Sequence, residues 1–166
     1  MTRDEFLDKQ HSLSVQSGMN QRYHQIYSTW WWRWDTAAKI TTAILAVSGA
    51  MLAVGATFET HPPLIDSVGV LVASAAALAA VILNVVPFGT WEQEHRDLLR
   101  QWTDLREDVE CLLFECESEP AEHHVCELKK LDAKMHRICG EEPSPNNAVI
   151  QTCFNAETKS RQPAAA

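Results

Sequence analysis

His123, Cys126, His136 and Cys139 come nearest, by type and spacing, to residues that do chemistry. They form two i,i+3 pairs of zinc-ligating side chains. On one helix the pairs lie about 13 residues, or roughly 20 Å, apart, so a single helix cannot close both around one tetrahedral ion. Only a broken helix or a neighbouring one would bring them together, and no metal is expected. Cys126 and Cys139 read instead as small buried residues, and the histidines as surface polar groups. The five cysteines, Cys111, Cys116, Cys126, Cys139 and Cys153, include no CxxC pair. Their odd number and irregular spacing fit no disulfide framework and suit a reducing compartment.

Other chemistry is absent from the pattern. There is no Gly-rich phosphate loop, no nucleophile elbow, no zinc-protease motif and no carboxylate pair in apolar surroundings. No enzymatic activity and no cofactor are expected. With 14 basic and 22 acidic residues the formal charge is −8. The basic residues are interleaved with carboxylates, so the stripe that nucleic acid requires is missing.

The elements that must position these residues are set by the hydrophobic pattern. Of 166 residues 46% are hydrophobic, unevenly placed: between Ile40 and Phe88 the only charged residues are Glu59 and Asp66. Ile40–Phe58 is uncharged and about 28 Å long as a helix, close to a hydrocarbon core of roughly 30 Å. Ser67–Phe88 is also uncharged, and Pro62-Pro63 separates the two. The pattern predicts a transmembrane hairpin in an all-α integral membrane protein. The first apolar stretch is too long for a signal-peptide core and is expected to persist in the mature protein. Arg22, Arg33 and Lys39 precede the first span, and Arg96, Arg100 and Arg106 follow the second, which predicts cytoplasmic termini. Trp30, Trp31, Trp32, Trp34 and Trp91 flank the spans as interfacial anchors. The expected organisation is an N-terminal cytoplasmic or interfacial helix (1–39), the hairpin (40–88), a cytoplasmic helical region (89–157) and a disordered tail (158–166).

Before the hairpin, Met19, Tyr23, Ile26, Trp30 and Trp34 share one face of a helix running into the first span, with Asp35 and Lys39 an i,i+4 pair on it. After it, Thr90-Trp91-Glu92-Gln93 has the form of a capping box that would start a new helix. On that helix Trp91, His95, Leu98, Trp102, Leu105, Val109, Leu112 and Cys116 alternate steps of four and three, as coiled-coil core positions do. Its partner is the N-terminal helix, the following helix or another subunit; periodicity does not choose. Beyond Ser118-Glu119-Pro120, a further helix carries Val125, Leu128, Leu131, Met135 and Ile138 and ends at Gly140. After Glu142-Pro143-Ser144-Pro145 one short helix is expected over Asn147–Ala156.

Within the spans, Gly49 with Ala53, and Gly69 with Ala73 and Ala77, place small residues at steps of four, which lets helices approach closely in lipid, within the hairpin or between copies. Ser48 and Ser74 could hydrogen-bond across such contacts. Asn84 and Pro87 could mark a bend or gate at the end of the second span, or a plain helix exit.

Arg22-Tyr23-His24 in the N-terminal helix, a hairpin with a very short turn, Glu94-His95-x-x-Leu98 and Trp102-x-x-Leu105 on the long helix, and Glu142-Pro143 before a final short helix resemble the SLATT family over residues 20–157. These are small bacterial two-transmembrane proteins proposed as pore-forming effectors in conflict and antiphage systems, often beside nucleotide-signal synthases, nucleotide-sensing domains or reverse transcriptases. The resemblance implies a homo-oligomer in the bacterial inner membrane, served by a cytoplasmic sensor or signal-generating protein encoded nearby, with no catalytic residue. Two roles follow: an effector that permeabilises the membrane when triggered, or a non-conducting anchor whose cytoplasmic helices recruit a partner.

Overall fold

Thr2 and Glu5 start the first helix. The Glu5 amide donates to Thr2 Oγ1 at 3.2 Å and the Thr2 amide to Glu5 Oε2 at 2.8 Å, a capping box that satisfies two exposed donors. From there α1 runs Arg3–Gly55. In this computed structural model, which describes residues 2–55, 63–118 and 121–161, α2 (Pro63–Val85), α3 (Phe88–Ser118), a 3-10 turn (Ala121–His124), α4 (Val125–Glu141) and α5 (Asn147–Arg161) follow. Every regular element among the described residues is helical. Of the expected linker Glu59-Thr60-His61-Pro62-Pro63 only Pro63 is described, as the first residue of α2; the Glu119-Pro120 break lies outside the described residues.

Pro87 separates α2 from α3. It has no amide to donate and disfavours helical geometry in the residue before it, so α2 stops at Val85. α3 begins at Phe88, three residues earlier than a helix capped by Thr90 would: the Trp91 amide already donates to the Pro87 carbonyl at 3.1 Å. Asn84 donates its side-chain amide to the Ala80 carbonyl at 2.9 Å, within its own helix. Asn146 caps α5, its side-chain oxygen accepting from the amides of Ala148 (3.1 Å) and Val149 (3.4 Å). α5 runs to Arg161, five residues past the expected end at Ala156, and the Arg161 guanidinium donates to Glu157 and to Ser14 from its last turn.

The chain divides after Ser28 and after Glu92 into two compact units: Met1–Ser28 with Gln93–Ala166, and Thr29–Glu92. The core of the first joins Phe6 and Leu13 of α1, Leu98, Trp102, Leu105, Val109 and Leu112 of α3, and Leu128, Met135 and Ile138 of α4. The α3 stripe is therefore buried within its own chain. On α1 the buried positions are Phe6, Gln10, Leu13, Ser17, Asn20 and His24, at alternating steps of four and three. This seam differs from the expected Met19–Tyr23–Ile26 face; Tyr23 is buried, but Ile26 is 50% exposed. Four of its six residues are polar, so an apolar-periodicity reading passes over it. Gln10 lies in it fully buried, with neither amide atom hydrogen-bonded, a cost of about 1–3 kcal/mol.

In the second unit Trp31 packs against Trp91 (ring centroids 4.6 Å) and Phe88 (6.0 Å), and Lys39 pairs with Asp35 at 2.6 Å. Its apolar residues face outward: Ile40, Ile44, Val47 and Met51 on α1, and Val70, Leu71, Leu78, Val81 and Val85 on α2, are all more than half exposed. The run Val68–Cys116 contains a stretch long and apolar enough to cross a membrane, none of it buried. That stretch falls in α2, since charged residues recur from Glu92 onward.

Candidate functional site

Trp102 carries one polar atom, and full burial obliges it to find an acceptor. The acceptor is Glu142, to whose Oε1 the indole N–H donates at 2.5 Å. Glu142 stands just past α4 in extended geometry (φ −73°, ψ 136°), as the residue before Pro143 should. The same oxygen lies 2.9 Å from His24 Nε2, and His24 Nδ1 lies 2.9 Å from His95 Nδ1. Tyr27 stacks on the His95 ring at 5.2 Å, and Tyr23 meets His24 edge-on. The Tyr23 hydroxyl accepts the Asn146 amide at 3.2 Å, fixing the start of α5.

The hydrogen bonds settle where protons sit. Trp102 can only donate, so Glu142 is an acceptor there and takes the Nε2 hydrogen of His24. One hydrogen then lies between the two Nδ1 atoms; a second would set N–H against N–H. Burial and the neighbouring His24 charge push the His95 pKa down to about 4, against the opposing pull of Glu142, and His95 is neutral at pH 7. Below the unfolded value of about 6.5 the unfolded chain binds a proton that folded His95 refuses, so stability falls as pH falls from 6.5 towards 4. We expect the first unit to be about 2 kcal/mol less stable at pH 5 than at pH 7, and His95→Gln to flatten that slope. Urea midpoints at the two pH values test this, and equal slopes in both proteins would refute it.

Arg22, beside this cluster in sequence, reaches a second buried group. Glu157 of α5 is 1% exposed and accepts from Arg22 Nε and Arg161 Nε, both at 2.8 Å. Burial alone would raise its pKa; the two arginine hydrogen bonds, with the charges of Arg161 and Arg106, outweigh burial and hold the carboxyl below its usual range. Gly18 makes room: a Cβ there would run into the Glu157 carboxyl group. Gln21 extends the network by donating to Thr103 (3.1 Å) and accepting from Arg106 (2.9 Å).

The residues singled out in the sequence are distributed as follows. Arg22-Tyr23-His24, His95, Trp102 and Glu142 come together in the first unit, although His24 and Glu142 are 118 positions apart. Leu98, Leu105, Val109 and Leu112 form the core beside them. In the second unit Gly49 has nothing within 4 Å of where a Cβ would stand. Gly69 is half-buried, and Ala73 and Ala77 are exposed; the side chain of Ala53 lies outside the described residues. Trp30, Trp32 and Trp34 are exposed, and Trp31 and Trp91 half-buried. Asn84 and Pro87 stand at the α2–α3 boundary. Cys126 and Cys139, expected to be buried, are exposed on α4, whose core face is filled by Leu128, Met135 and Ile138; Cys153 is the buried cysteine. His123 and His136 are exposed too, and among the described residues no three His, Cys, Asp or Glu side chains are grouped to hold a metal ion. The sequence reading missed Gln10, Ser14, Ser17, Asn20 and Glu157; only the four-three spacing of the α1 seam, read without regard to polarity, could have found Gln10, Ser17 and Asn20, and nothing in that spacing marks Ser14 or Glu157.

Fold and site together define an all-helical protein with a polar cluster buried in one helical unit and an outward-facing apolar surface on another. No family model, curated protein or solved structure matches the chain.

Proposed function

We propose that the chain is a membrane-embedded effector of the SLATT type, which oligomerises and permeabilises or depolarises the bacterial inner membrane when triggered, in antiphage defence. The hairpin crosses the bilayer twice, with both termini cytoplasmic. The observation that carries this reading is the unburied, span-length apolar stretch of α2 together with the exposed apolar row on α1 from Ile40 to Met51. Surface of that extent needs lipid or another protein to cover it. The open space around Gly49 and the exposure of Ala73 and Ala77 support the use of small residues between copies. Asn84 and Pro87, at the end of the second span, are where a conducting state would bend.

Induced expression in bacterial cells, with and without phage infection, tests the proposal by membrane potential and viability. Gly49→Leu has room in the single chain, so its effect reports on assembly. It and Ala73→Leu should each cut depolarisation about tenfold, the equivalent of about 1.4 kcal/mol lost from the contact between copies. Full potential in every condition would favour the non-conducting anchor instead.

A further inference from the structure

α4 is fastened to the core by Leu128, Met135 and Ile138, whereas α5 buries only Cys153 and Glu157. α5 is held chiefly by charge: Glu157 between Arg22 and Arg161, and Arg161 donating to the Ser14 hydroxyl (2.7 Å) and carbonyl (2.9 Å). Beside these contacts lies an open cavity of about 430 Å³, lined by Ser12, Val15, Phe154, Thr158 and Arg161 among others, and Phe154 is 42% exposed. Few buried apolar contacts and an underpacked flank mark a segment that opens locally at lower free energy than the core.

The face that α5 covers is built to receive a helix. Ser14 and Gly18, one turn apart, allow close approach, and Arg22 supplies a positive charge to a carboxylate. We propose that α5 is a releasable strap that restrains self-association: docked, it occupies the Ser14–Gly18–Arg22 face of α1; released, it leaves that face to a carboxylate-bearing helix of a second copy. Charge complementarity selects this occupant. An uncovered Arg22 favours an acidic helix, and a chain of net charge −8 offers one in exposed Asp104, Glu107 and Glu110 of α3.

The inference goes beyond the effector reading and holds whether or not the assembly conducts. Its test is amide exchange and oligomer size of the full chain in detergent, for wild type and Glu157→Gln, which keeps the shape and removes the charge. Loss of the charge-assisted bonds should speed exchange of α5 amides about tenfold or more, leave α4 amides unchanged and raise the oligomeric fraction. α5 opening only together with α4, or opening without a rise in oligomeric fraction, would overturn the proposal. Should Glu157→Gln fail to fold, Ser12→Leu approaches from the other side by filling the cavity. It should slow α5 exchange and lower the oligomeric fraction; an unchanged fraction would overturn the strap.

Discussion

Leu105→Asp should abolish folding of the first unit. Leu105 is fully buried among apolar side chains of α1, α3 and α4. A carboxylate placed there either stays charged without a partner or is protonated against its own pKa, and the lost leucine contacts add to that cost. The sum exceeds about 4–5 kcal/mol, a large share of the stability of a domain this size. The α3 stripe could in principle serve a neighbouring subunit, but here its partners lie in the same chain. The loss should therefore be independent of protein concentration. Near-ultraviolet circular dichroism and urea unfolding across a range of concentrations would show it; a variant that keeps its fold and merely dissociates would place Leu105 between subunits.

Trp102→Ala should cost about 3–5 kcal/mol by cavity formation alone, since the side chain is fully buried. It also removes one of the two donors to Glu142 Oε1, leaving His24 as the remaining one. Trp102→Phe separates the two effects. It refills most of the volume but leaves the carboxylate one donor short, with an expected loss of about 1–3 kcal/mol. Denaturant midpoints of the three proteins give the comparison, and a Phe variant as stable as wild type would show that the indole hydrogen bond contributes nothing. Glu142 also faces His24, so the Phe variant should alter the pH slope assigned to His95, a change that volume loss by itself does not produce.

Much of this architecture is written in local pattern. Ile40–Phe88 is nearly uncharged, and transfer free energy per residue is a property of composition, so the outward-facing apolar surface of the second unit is legible without a fold. The four-three alternation from Leu98 to Leu112 likewise reports one helix face, because side-chain direction repeats every 3.6 residues whatever the partner. Pro87 and Pro143 announce their breaks by the geometry they impose on the residue before them.

What local pattern cannot hold is the choice of partner. Tertiary structure decided that the α3 stripe meets α1 and α4 of its own chain, and that α1 contributes a seam rich in Gln, Ser, Asn and His where Tyr23, Ile26 and Trp30 suggested another face. Hydrophobic periodicity measures preference for leaving water, and a buried polar seam shows none. Tertiary structure also joined His24 to Glu142, and Glu157 to Arg22, across more than a hundred positions each. A carboxylate's worth as a buried residue depends on which donors the topology brings to it, and a one-dimensional spacing contains no such information. The same reason explains how α5 is fastened: the Arg161 guanidinium meets Glu157 one turn back in its own helix, but its bonds to Ser14 exist only once both ends of the chain have been packed together.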